Sequence, residues 1–133
     1  MDKQIIEILI VTRSVVLQQG LGALLECLPG VTSVKAVGSL QGAYTWIEER
    51  QPKIVLLDES LAAKNPKSAL EKIRSLSPHT QRVLLADDVQ SVNLLLAHAE
   101  AVLIKGSQPS AIASTITSLF STKGDEHEHN DSN

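Results

Sequence analysis

Several charged or polar residues stand where short apolar runs stop, and these are the side chains that could do chemistry. Asp58 follows Ile54-Val-Leu-Leu57, Thr12 and Arg13 follow the run ending at Val11, Asp87 and Asp88 follow Ala86, and Lys105 follows Ile104. In open α/β sheets ligands and chemistry collect at the carboxyl ends of the strands, so Asp58 is the first candidate. The segment alone leaves a second role open, in which Asp58 caps the following turn. Glu59, Asp87 and Asp88 lie near the same edge and could rebuild a cation site, although acids in loops after strands are more often solvated. His127 and His129 are two ligands on a segment without apolar residues, a poor metal site.

The elements that must position these groups follow from the spacing of apolar residues. Ile54 to Leu57, entered through Pro52, reads as a strand buried on both faces, which implies a parallel sheet with helices above and below. Ile5 to Val11, Val31 to Val37, Arg82 to Ala86 and Ala101 to Ile104 give four more strands. Ser14 can cap a helix whose buried face is Leu17, Leu21, Leu24, Leu25 and Leu28. Ser39 can cap a second, with Ala43, Tyr44 and Ile47 inside and Trp46 off the stripe. Pro66 opens a third with Leu70, Ile73 and Leu76 inside, closed by Ser77-Pro78. Val92, Leu95, Leu96 and Ala99 mark a fourth, and Ile112, Ile116, Leu119 and Phe120 a fifth. Such alternation predicts a doubly wound parallel sheet, because right-handed crossovers put helices on both faces.

Composition narrows the function class. The 133 residues form one domain, 1–121, followed by an acidic tail, 122–133, that carries no apolar residue and is expected to be disordered. Acids and bases balance through Ser121, so the net charge of −3 lies in the tail and the body has no basic footprint for nucleic acid. The core must be aliphatic, because aromatics are only 2%. Cys27 is the only cysteine. It lies within an apolar helical pattern and reads as a small buried hydrophobe, which excludes a disulfide within the chain and points to a reduced, cytoplasmic setting. No run is long enough to span a membrane.

The order of residues resembles the receiver domains of two-component response regulators, in particular the NarL/FixJ type that precede a LuxR-type DNA-binding domain. The resemblance is carried by Ile8-Leu-Ile-Val11, Gln19-Gly-Leu-Gly-Ala-Leu-Leu-Glu26, Pro52-Lys-Ile-Val-Leu-Leu-Asp58, Ile73-Arg-Ser-Leu-Ser-Pro78 and Leu103-Ile-Lys105, and it spans Ile5 to Phe120. It implies a flavodoxin-like (CheY-like) sheet of order 2-1-3-4-5. In that family an aspartate ending the third strand accepts a phosphoryl group, with Mg²⁺ held by an acidic pair at the first strand's end. A Thr or Ser ending the fourth strand and a Lys ending the fifth grip the phosphate, and an aromatic in the fifth strand swings inward. Asp58 takes the acceptor position and Lys105 the lysine position.

The remaining positions depart from the pattern. The acidic pair falls on Thr12 and Arg13, the hydroxyl position on Ala86 and the aromatic on Val102. The Pro and Gly positions of the loop after the aspartate hold Ala62 and Pro66, and the segment from Ala86 to Lys105 is about three residues shorter than is usual. The resemblance therefore implies a pseudo-receiver, neither enzyme nor metal or cofactor binder, in which Asp58 is paired with Arg13 or Lys105 and has a lowered pKa. It would act by contact with another protein or with itself as a homodimer, in signal transduction or transcription regulation, with no direct nucleic-acid or membrane binding. Consecutive Leu94, Leu95 and Leu96 cannot all face one core, so they are the interface candidates. The alternative is a working Asp58 phosphoacceptor that controls a DNA-binding output.

Overall fold

The computed structural model describes residues 5–62 and 65–129, with side chains through Phe120. Five strands, β1 (Ile6–Val11), β2 (Val31–Val37), β3 (Ile54–Asp58), β4 (Gln81–Ala86) and β5 (Ala101–Ile104), alternate with five helices, α1 (Val15–Glu26), α2 (Leu40–Arg50), α3 (Pro66–Leu76), α4 (Val89–Leu95) and α5 (Pro109–His129). Every strand pairing is parallel and the order is β2-β1-β3-β4-β5, the flavodoxin-like arrangement expected.

Strand alternation splits the core into two layers. Ile6, Ile8 and Ile10 of β1, Ile54 and Leu56 of β3, Val83 and Leu85 of β4 and Leu103 of β5 pack beneath α1 and α5. Leu9 and Val11, Val55 and Leu57, and Leu84 face α2 and α3. Every residue of β3 is buried, as befits the central strand. The expected caps form: Ser14 accepts a hydrogen bond from the Leu17 amide at 3.1 Å, and Ser39 one from the Gly42 amide at 3.0 Å. Asn65 caps α3 and Asp88 caps α4 in the same way.

Two expectations are corrected. Cys27 is exposed at the carboxyl end of α1, because Leu21, Leu25 and Leu28 define the inner stripe and position 27 points away from it. Leu96 is not on the inner face of the fourth helix. α4 stops at Leu95, a 3₁₀ turn over Leu96–His98 tightens the winding, and Leu96 swings out while Leu95 and Ala99 stay packed. α5 extends to His129, into the segment 122–133. Residues 130–133 of the expected tail lie outside the described residues.

Candidate functional site

Asp58 ends β3 with its side chain 6% exposed. The register that pairs Val11 with Leu57 and Leu85 with both Asp58 and Leu103 sets the neighbours of its carboxylate. One step beyond Val11, Thr12 stands beside Asp58 on the same face of the sheet. Two steps beyond Leu103 on that face stands Lys105, whose long side chain reaches back to the carboxylate.

The contacts are short and complete. Thr12 is fully buried, and its hydroxyl donates to Asp58 Oδ2 at 2.5 Å. Asp58 Oδ1 accepts from the Ser60 amide at 2.8 Å and pairs with Lys105 Nζ at 2.5 Å. Lys105 Nζ also donates to Ser60 Oγ at 2.7 Å and to Asp87 Oδ1 at 2.6 Å. An ammonium has three N–H donors, and here each has an acceptor. The loops after β3, β4 and β5 are thereby tied together by one cation. Asp58 does two jobs at once, since its bond from the Ser60 amide closes the turn that follows the strand.

Electrostatics follow from these partners. Burial pushes the Asp58 carboxyl up, but hydrogen bonds from Lys105, Thr12 and the Ser60 amide, with the charge of Lys105, outweigh it and hold Asp58 below the ordinary carboxylate range. Burial pulls Lys105 down, and its bonds to Asp58 and Asp87 override that and raise it. The pair is therefore ionised across the physiological range.

Arg13 does not join Asp58. Thr12, the residue after β1, turns to the aspartate, whereas Arg13 stands in the bend that follows, exposed at the rim of a cleft beside α2 and α3. Ala86 is fully buried at the end of β4 and brings no hydroxyl to the site. Glu59 accepts from the Asp87 amide at 2.9 Å and the Ser91 hydroxyl at 2.8 Å, and Asp88 accepts from the Ser91 amide at 3.0 Å, so these two acids serve loop geometry. His127 and His129 fall where side chains are outside the description. Sequence reasoning missed Ser60 as a member of the cluster. The Asp-x-Ser spacing was the available signal, because aspartate side chains bond the amide two residues on.

The resemblance implies Mg²⁺, and the donor set does not fit it. Mg²⁺ demands near-octahedral oxygens. The oxygens of Asp58 are already occupied by a hydroxyl, an amide and an ammonium, and the two positions that should carry carboxylates are a threonine bonded to Asp58 and an arginine turned away. Among the described residues no group of three or more His, Cys, Asp or Glu is placed to hold a metal ion.

The sequence matches no protein-family model, and no curated protein matches it significantly. The fold is similar to solved receiver domains. One is the signal receiver domain of an HD domain-containing protein from Pseudomonas fluorescens Pf-5, at 20% identity and TM-score 0.80, covering 97% of this chain and 96% of that one. A CheY-like receiver domain protein from Methanospirillum hungatei JF-1 is 22% identical with TM-score 0.77, covering 92% and 99%. A LuxR-family two-component response regulator from Aurantimonas sp. SI85-9A1 is 21% identical with TM-score 0.75, covering 89% and 86%.

Proposed function

We propose that this chain is an atypical receiver domain, not an enzyme, that acts in cytoplasmic two-component-type signalling or transcription regulation through protein contacts without Mg²⁺-dependent phosphoryl transfer to Asp58. The observation that supports this reading is the saturated cluster at the sheet edge: both Asp58 oxygens are already taken, by the Thr12 hydroxyl, the Ser60 amide and the Lys105 ammonium. A guanidinium, a threonine and an alanine occupy the positions of the other working groups. Receiver-like signalling then depends on which partners the fixed surface fits.

Thermal unfolding in the presence of Mg²⁺ tests the metal half of this reading. A ligand that binds only the native state raises its melting temperature. No rise is expected at millimolar Mg²⁺, because the Asp58 oxygens are already held by Thr12, Ser60 and Lys105. A rise in the unaltered protein would count against the reading.

The contact surface is assigned to α4. Leu94, 74% exposed, and the exposed Val89 lie on α4, and Leu96, 53% exposed, opens the 3₁₀ turn that follows it. A second copy of the chain is the proposed occupant. Leu94→Arg is expected to convert a sedimenting dimer to monomer while changing stability by less than about 0.5 kcal/mol, as surface substitutions do. A dimer indifferent to the substitution would move the interface elsewhere.

A further inference from the structure

Beside the carboxylate cluster, on the opposite face of the sheet, lies a cleft of about 450 Å³ between α2, the turn after β3 and the first turn of α3. That is within the size range of small-molecule sites, roughly 300–1,000 Å³. Its walls are apolar where Leu40, Leu61, Ala62 and Ala69 line it, and the last two are buried at 4% and 3% exposure. Its polar residues are Arg13, Tyr44, Ser60, Asn65 and Ser68, and no carboxylate lines it among the described residues.

Arg13 is the informative residue. Arg50 is paired with Glu7, Arg82 with Glu100 and Lys105 with Asp58 and Asp87, whereas Arg13 has no hydrogen-bond or ion-pair partner among the described residues. It stands in the bend that follows β1 and lines the cleft. The Asn65 carbonyl oxygen, the one amide acceptor at the rim, is already used by the Ser68 amide at 3.0 Å.

We infer that this cleft binds a small organic carboxylate carried on an apolar body. A guanidinium presents a planar fork that matches a carboxylate with two parallel hydrogen bonds. Apolar walls suit the remainder of such a ligand. Tyr44 adds a neutral hydroxyl donor, because burial pushes its pKa up. The inference does not rest on Asp58 being inert, since the Asp58 carboxylate is not among the groups that line the cleft.

The test is an amide chemical-shift titration of the full isotope-labelled chain with benzoate, phenylacetate and indole-3-acetate, alongside benzyl alcohol as a neutral probe. Saturable shifts are expected at Arg13, Tyr44, Ser60 to Ala62 and Ser68 for at least one carboxylate, with a Kd on the order of 1 mM for ligands this small. The neutral probe should bind at least tenfold more weakly. Arg13→Ala, at an exposed position, should weaken the carboxylate at least tenfold, and Ser68→Trp at the exposed mouth should block it. The inference is overturned if no carboxylate saturates at the cleft, if the neutral probe binds equally well, or if Arg13→Ala binds like the unaltered chain.

Discussion

Replacing Lys105 by methionine is expected to destabilise the fold at neutral pH by about 2–4 kcal/mol, because breaking a buried ion pair leaves an uncompensated charge inside. The figure is set below the range for fully buried pairs because the Lys105 side chain is 22% exposed. The substitution strands Asp58, whose carboxylate would face Asp87 with only the Thr12 hydroxyl and the Ser60 amide for support. The pH profile separates this from a packing defect. In the unaltered protein Asp58 is held below its unfolded pKa, so its stabilising contribution is present above about pH 4 and is lost as pH falls through the lower folded value. Lys105 is raised, so its contribution is fully present below about pH 10.4 and is lost only as pH rises through the higher folded value. In Lys105→Met the burial of Asp58 dominates and the sign reverses: stability should fall as pH rises from about 4 to 7, where the unaltered protein is flat. Denaturant unfolding at several pH values measures both, and adding Asp58→Asn should recover most of the loss. A cost below about 0.5 kcal/mol would mean the cluster contributes little.

Arg82→Met is the second large effect, expected to cost on the order of 3 kcal/mol. Arg82 is 5% exposed at the start of β4. Its Nε and one terminal nitrogen donate to Glu100 at 3.0 and 2.9 Å, and its other terminal nitrogen donates to the Leu70 carbonyl at 3.1 Å. One side chain therefore ties α3 to the turn that enters β5. Methionine can fill the volume, but it leaves a carboxylate without its counter-charge and a carbonyl of α3 without its donor. Arg82→Lys should fail to rescue, because a single ammonium cannot reproduce the fork. Adding Glu100→Gln should recover part of the loss. The Arg82 and Lys105 effects should add, because the two residues sit at opposite ends of the sheet and share no partner. Unfolding of the single and double variants checks this, and strong coupling between the two would imply that the sheet ends are not independent.

The fold was legible because five aliphatic runs of strand length alternate with stripes of helical period. Ile54 to Leu57, bounded by Pro52 and Asp58, could be little else than the centre of a parallel sheet. The placement of Asp58 and Lys105 at one edge followed from the same alternation. The identity of the third partner did not: Arg13 was read as the neighbour of Asp58 because its charge is conspicuous, whereas period-two geometry favours Thr12, whose buried hydroxyl carries no such signal. Asp87 looked like a loop acid with a potential metal role, and only the three-dimensional reach of Lys105 makes it a counter-ion. The Arg82–Glu100 pair was invisible for a different reason, since its partners are brought together by the β4–β5 pairing. At least one exposed leucine follows from three in succession; two of them, Leu94 and Leu96, turn outward, and the 3₁₀ turn at Leu96–His98 accounts for the second.

The most direct measurement is the intact mass of the protein after incubation with Mg²⁺ and a small phosphodonor such as acetyl phosphate. With the Asp58 oxygens held by Thr12, Ser60 and Lys105 and no fitting site for the metal, the mass should remain unchanged. A phosphate-sized gain that disappears in Asp58→Asn would show that Asp58 is a working acceptor and would contradict the proposal that this receiver fold acts without phosphoryl transfer.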